Sequence, residues 1–177
     1  MKKIRLASLW LDGCSGCHMS FLDLDFELGE LLEQVELVYS PLMDVKIYPE
    51  AVDAVLIEGA VSSERAVAEL RLIRQHTRIL IAFGDCAVTG NVPGMRNPFL
   101  LADTLWRAYG ENADEASGKR LAELPALLPS VRPVHEVVPV DLFLPGCPPP
   151  TAAIREALAS LLGGQALFPL ASTRFGA

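Results

Sequence analysis

The stretch VDAVLIEG, residues 52–59, is an almost continuous apolar run that ends in an acidic residue and a glycine. A sheet with one solvated face alternates apolar and polar residues, whereas strands of a parallel sheet are covered on both faces and are apolar throughout. Four other short apolar runs share this character, and they lie at residues 4–11, 35–39, 79–83 and 137–144, with Pro139 interrupting the last. The sequence therefore predicts five buried parallel strands.

Segments with helical periodicity or helix signals separate these strands. Apolar residues recur at helical spacing over residues 19–33, and Ser62 and Ser63 are candidate N-caps of a helix that runs to about residue 75. Two more helices are predicted at 99–109 and 151–162. Strands that alternate with helices predict a doubly wound α/β sheet with right-handed crossovers, similar to the flavodoxin fold.

Domain organisation follows from the length of the chain. A chain of 177 residues suits one domain, which we place at 1–177. Within it, the polar and proline-containing segment 110–133 predicts an inserted surface loop.

Composition excludes some classes of partner. The net charge of −7 argues against nucleic acid, because phosphate binding needs a basic surface. Half of the residues are hydrophobic (51%), but no apolar run is long enough to cross a bilayer, so we expect no membrane. The first residues are basic and then apolar, as in a secretion signal, but Asp12 interrupts them and no cleavage site follows. We therefore expect a cytoplasmic protein with reduced thiols.

Four cysteines follow predicted strands. Cys14 and Cys17 come after the first strand, Cys86 after the fourth and Cys147 after the fifth. The carboxyl ends of parallel strands form one edge of the sheet, where ligand sites are built. The four thiols should therefore converge there as metal ligands or redox groups.

Two kinds of metal centre use four cysteine thiolates, a 4Fe-4S cluster and structural zinc. Zinc ribbons usually offer two close pairs, whereas this chain has one pair and two single cysteines, which favours the cluster. A zinc-stabilised assembly module stays an alternative, as does a thiol oxidoreductase that uses Cys14 and Cys17. Four unrelated buried cysteines are a third reading, which the shared sheet edge disfavours.

Other candidate site residues surround the cysteines. Gly13 and Gly16 would let the backbone curl around a cluster, and Gly59 would bring its own backbone near it. Glu58, at the end of the third strand, could relay protons or cap a helix N-terminus. His18 could carry protons, but we interpret it as the first residue of a helix.

Four motifs, in order along the chain, carry a family resemblance. They are WLDGCSGCHMS at 10–20, IEG at 57–59, GDCA at 84–87 and LPGCPP at 144–149. Together they resemble the small subunit of NiFe hydrogenases, a family related to the 20-kDa-type subunit of respiratory NADH dehydrogenase. The chain is most similar to the small subunit of the cytoplasmic, bidirectional NAD-reducing type. The NADH-dehydrogenase relatives have adjacent cysteines at the position of Cys14-x-x-Cys17.

The resemblance implies a function. Four cysteines (Cys14, Cys17, Cys86 and Cys147) would ligate one proximal 4Fe-4S cluster in a subunit of a hydrogen:NAD⁺ oxidoreductase. A large subunit would supply the nickel-iron centre, and electrons would pass through the cluster to flavin- and NAD-binding diaphorase subunits. FMN is a second candidate cofactor. Flavodoxins hold its phosphate after strand one, a position that residues 12–17 occupy here, so FMN would have to bind elsewhere.

Overall fold

The computed structural model describes residues 3–111 and 125–163. Its central sheet has the order β2-β1-β3-β5-β7, and each adjacent pair is parallel. These strands are β1 (Ile4–Trp10), β2 (Val35–Tyr39), β3 (Val52–Glu58), β5 (Thr77–Phe83) and β7 (Leu142–Leu144). The order is that of flavodoxin-like doubly wound sheets. The predicted α/β fold is confirmed.

Helices connect the strands and cover the sheet. They are α1 (Gly16–Leu22), α2 (Phe26–Gln34), α3 (Glu64–His76), α4 (Asp85–Thr89), α5 (Asn91–Gly94), α6 (Leu101–Tyr109) and α7 (Thr151–Gly163). Of the two candidate caps, Ser63 caps α3, since its Oγ accepts a hydrogen bond from the Ala66 N–H at 3.2 Å. No described helix is both long enough and apolar enough to cross a bilayer.

One predicted helix and one predicted strand differ from the structure. The helix expected at 19–33 is broken into α1 and α2, because Asp25 takes a positive φ of 51° that a helix cannot continue through. The strand expected at 137–144 begins only at Leu142, and a 3-10 helix (Val134–Glu136) precedes it. Pro139 has no N–H to give to a sheet, which explains the late start.

A second, two-stranded antiparallel sheet joins β4 (Val61–Ser63) to β6 (Leu127–Arg132). Strand β6 lies within segment 110–133, so this part of the predicted surface loop is a strand, with Leu128 and Val131 buried. The sequence does not predict this strand because Pro129 lies within it, and a proline in a short run argues against a strand. An edge strand nevertheless tolerates a proline. Residues 112–124 of the predicted insertion lie outside the described residues.

The core consists of two apolar layers, one on each face of the sheet. On one face α7 packs through Leu158 and α2 through Leu31, and on the other α3 packs through Leu70. Strand β3 lies between both layers, and all but Asp53 of its seven residues are buried. This double coverage explains the high apolar content, and the parallel pairing of the strands places their carboxyl ends at one edge.

Candidate metal centre

All four cysteines lie at the carboxyl edge of the sheet, as predicted. They line or adjoin a cavity of about 340 Å³ that opens between the loops after β1, β5 and β7. Cys14, Cys86 and Cys147 line it. Cys17 is buried in the first turn of α1, and none of the four is in a disulfide. The folded chain thus brings together thiols from three loops at one site.

Tight contact between the loops after β1 and β3 shapes this edge. Gly59 has a φ of 91°, and a β-carbon there would lie 2.7 Å from the backbone oxygen of Asp12. Asp12 and Ala60 exchange two backbone hydrogen bonds, of 3.1 and 2.7 Å. Gly13 lines the cavity, and a β-carbon on Gly16 would lie 3.2 Å from the Cys14 sulfur. A side chain at Gly59 would therefore collide with the loop that carries Cys14, and one at Gly16 would press on the Cys14 sulfur.

Burial and nearby negative charge raise the pKa of two of the four thiols. Burial raises the pKa of Cys17, and negative charge at Glu58 and at the other three cysteines raises it further. Burial also raises the pKa of Cys86, against a hydrogen bond from the Val92 backbone N–H that lowers it. A thiol oxidoreductase needs a lowered thiol pKa, so the environment of Cys17 is unsuited to that chemistry. A bound cation centre would favour the thiolates.

Glu58 belongs to a buried hydrogen-bonded chain. Its side chain is at the end of β3 and 1% exposed. Glu58 Oε2 accepts a hydrogen bond from the His18 N–H at 2.9 Å and also contacts His18 Nδ1. His18 Nε2 lies 3.1 Å from Ser8 Oγ, which donates to Ser40 Oγ at 3.1 Å. The geometry thus contains the helix-capping contact that the sequence allowed for Glu58.

His18 is interpreted from the sequence as the first residue of a helix, and its buried partners are not predicted. It lies in the third position of α1, buried, with both ring nitrogens in contact with buried polar groups. Its contact with Glu58 spans 40 positions, and the contact with Ser8 joins it to β1. No local pattern marks such a partner, because the contact arises only when α1 packs against the sheet.

Exposed apolar side chains follow along the chain from Val92, which lines the cavity. We call four of them the apolar rim: Val92, Met95, Phe99 and Leu100, with exposed fractions of 61, 71, 64 and 73%. Asn97, within this segment, donates to the Val131 carbonyl at 2.9 Å and accepts from the Val131 N–H at 2.7 Å. Arg96 donates to the Leu128 carbonyl at 2.8 Å. The rim is therefore held against β6 while its apolar side chains face solvent.

The thiols surround a cavity and do not meet at one point. Within residues 3–111 and 125–163, no three His, Cys, Asp or Glu side chains lie close enough to hold a single metal ion. Sulfurs around one zinc ion, at about 2.3 Å from it, would lie closer together than the thiolates around the larger body of a 4Fe-4S cluster. The donor set and the cavity fit the cluster.

The chain is similar in sequence to one protein family and to subunits of known hydrogenases. Residues 14–161 match the family model of the NADH ubiquinone oxidoreductase 20 kDa subunit. Over 168 residues the chain is 44% identical to the delta subunit of the NAD-reducing hydrogenase HoxS of Cupriavidus necator, covering 92% of this chain and 80% of that one. It is 37% identical to one subunit of the F420-non-reducing hydrogenase vhu of Methanocaldococcus jannaschii, and the match covers 92% of this chain and 57% of that subunit.

A solved structure extends the likeness to three dimensions. In the crystal structure of an NAD⁺-reducing NiFe hydrogenase in the H2-reduced state, one chain matches with a TM-score of 0.90 and 42% identity. The match covers 98% of this chain and 99% of that chain.

Proposed function

Because the chain belongs to the NADH ubiquinone oxidoreductase 20 kDa subunit family, among the small subunits of NAD-reducing and related hydrogenases, we propose that it binds one 4Fe-4S cluster on four cysteines and transfers electrons. Three of these ligands, Cys14, Cys86 and Cys147, line the cavity, and Cys17 adjoins it from α1. The observation that carries the proposal is the convergence of four free thiols on one cavity. The bound cluster would accept and release one electron at a time.

The apolar rim supports a partner at the same edge. A cluster that exchanges electrons with a second protein must lie near the interface, and an exposed apolar patch is typical of such surfaces. Val92 and Pro93 join the rim to the cavity wall. The partner is a hydrogenase large subunit that holds the nickel-iron centre, and the rim is the surface that binds it.

The remaining assignments rest on the relatives. The NAD-reducing relatives suggest flavin- and NAD-binding diaphorase subunits as electron acceptors in a cytoplasmic hydrogen:NAD⁺ oxidoreductase. FMN on this chain stays a prediction from the resemblance alone.

Glu58 and His18 are assigned to proton movement. Their contact leads through Ser8 to Ser40, so four buried polar side chains form a continuous hydrogen-bonded path beside the site. Imidazole, hydroxyl and carboxyl groups can each take up and release a proton along such a path. Glu58 lies at the end of this path nearest the cavity, since its Oε1 faces Gly13, which lines the cavity.

The decisive experiment is metal analysis of the chain, co-purified anaerobically with its large subunit. About four irons and four sulfides per small subunit, with a brown colour, are expected for one cluster on four cysteines. Iron in the large subunit's own centre is counted separately, by repeating the analysis on that subunit alone. One zinc and no sulfide per small subunit would contradict the proposed function.

A further inference from the structure

The loop that carries Cys147 is held by side chains from the other two cysteine-bearing segments. Asp85 Oδ1 accepts a hydrogen bond from the Gly146 N–H at 2.7 Å, and the Asp85 N–H donates to the Gly146 carbonyl at 2.9 Å. Ser20, buried in α1, donates from Oγ to the Pro149 carbonyl at 2.6 Å. Asp85 directly precedes Cys86, and Ser20 is three residues after Cys17. Each hydrogen bond therefore links two thiol-bearing segments.

The Cys147 loop has few other means of keeping its position. Strand β7, which precedes it, is only three residues long and lies at the edge of the sheet. Residues 148–150 are prolines, which have no N–H to donate. Gly146 is buried, so its N–H needs an acceptor inside the protein, and the Asp85 carboxyl supplies it.

We propose that Asp85 and Ser20 are positioning residues that hold the Cys147 loop at the site before a cluster binds. The inference rests on the proposed function in taking Cys147 as a ligand. A ligand that is already in place loses less freedom when it binds, and partners that orient metal ligands change metal affinity by about 10- to 100-fold when they are removed. Neither side chain needs to touch the cluster for this effect.

The chain offers a matched control at the opposite end of the same strand pair. Asp141 precedes β7, and its Oδ2 accepts from the Leu80 N–H at 2.7 Å while its own N–H donates to the Leu80 carbonyl at 2.9 Å. This is the same reciprocal pattern that joins Asp85 to Gly146. Asp141, which also pairs with Arg74, lies at the amino end of β7, away from the Cys147 loop, so its removal should disturb the start of β7 and leave the hydrogen bonds of Asp85 and Ser20 in place.

The test uses the full chain in complex with its large subunit, and it compares Asp85→Ala, Asp85→Asn, Ser20→Ala and Asp141→Ala. The first measurement is the rate at which the cluster's visible absorbance is lost to an iron chelator under anaerobic conditions. We expect about 10-fold or faster loss in Asp85→Ala. Asp85→Asn, which keeps the acceptor oxygen and removes the charge, should restore the wild-type rate. Ser20→Ala should also speed the loss of the cluster, and Asp141→Ala should leave the rate of loss unchanged.

The second measurement is hydrogen exchange, by mass spectrometry, of the peptide over residues 142–150 in the metal-free chain. Faster exchange in Asp85→Ala than in Asp85→Asn is expected, because Gly146 loses its acceptor only in the first. Equal exchange and equal cluster loss in these two variants would overturn the inference. A wild-type complex without cluster iron on this subunit would instead contradict the proposed function, and the exchange result would still decide whether Asp85 holds the loop.

Discussion

Gly84 lies against Cys17 so closely that a β-carbon on Gly84 would stand 2.1 Å from the Cys17 sulfur. The two residues are 67 positions apart, yet the Cys17 sulfur can occupy its position only because Gly84 has no side chain. Gly84 also has a φ of 86°, which a residue with a side chain rarely adopts. The glycine two residues before Cys86 is thus required by a thiol of helix α1.

The first prediction concerns Gly84→Ala, with Gly90→Ala as its control. Both glycines have positive φ, 86° and 84°, so both variants should lose about 1–3 kcal/mol of unfolding free energy from backbone strain. No atom lies within 4 Å of a β-carbon at Gly90, so only Gly84→Ala should displace Cys17 and lose iron. Urea unfolding and iron content measure the two effects, and equal iron content in both variants would contradict the prediction.

The second prediction concerns Glu58→Gln, which removes a titrating group and keeps shape and hydrogen-bonding capacity. If Glu58 relays protons, hydrogen turnover by the complex should fall by about 100-fold or more while the cluster's paramagnetic resonance signal stays. The control is Glu64→Gln, an exposed carboxyl at the start of α3, which should have no effect. Unchanged turnover in Glu58→Gln would leave this residue only its capping contact with His18.

The third prediction concerns Cys147→Ser. A serine hydroxyl is a harder and poorer ligand than a thiolate for iron-sulfur clusters. We expect loss of the 4Fe-4S signal or its conversion to a smaller cluster, a lower melting temperature and weaker binding to the large subunit, because cluster binding contributes to folding. An unaltered resonance signal in the reduced variant would remove Cys147 from the ligand set.

The fourth prediction concerns the pH dependence of stability in the metal-free chain. The pKa of Cys17 is raised above its ordinary value of about 9, so above that pH the unfolded chain releases a proton that the folded chain keeps. The stabilisation is fully present below pH 9 and is lost as pH rises, by at most about 1.4 kcal/mol per pH unit. The free energy of unfolding, measured by urea titration at several pH values, should fall less with rising pH in Cys17→Ala than in the wild type. An identical dependence on pH in the two proteins would contradict the raised pKa.

The fifth prediction concerns the apolar rim. Phe99→Ser removes a large exposed apolar side chain from the rim, and it should weaken binding of the large subunit by about 10-fold or more. The control is Ile47→Ser, because Ile47 is 83% exposed but precedes Tyr48, whose hydroxyl is 2.6 Å from Thr77 Oγ1 at the amino end of β5. Surface plasmon resonance under anaerobic conditions compares them, and an equal effect of both would argue against the rim as the interface.

Local patterns in the sequence determined much of the fold. The apolar runs predicted the strands of the central sheet because a strand that is buried on both faces, as β3 is, must be apolar along its whole length. The rule that parallel strands share a carboxyl edge then placed Cys14, Cys86 and Cys147 together without any knowledge of distance. The sequence did not predict the turn at Asp25, because it depends on a single backbone angle. It did not predict strand β6 either, because that strand contains a proline.

Contacts between distant residues were decided only by the tertiary structure. His18 meets Glu58 across 40 positions, Ser20 meets Pro149 across 129, and Asp85 meets Gly146 across 61. A side chain's own sequence neighbourhood sets its secondary structure, but its hydrogen-bond partner depends on how α1 and the loops after β5 and β7 pack at one edge of the sheet. The sequence thus determined which thiols share the edge, and the packing decided which polar side chains hold them there.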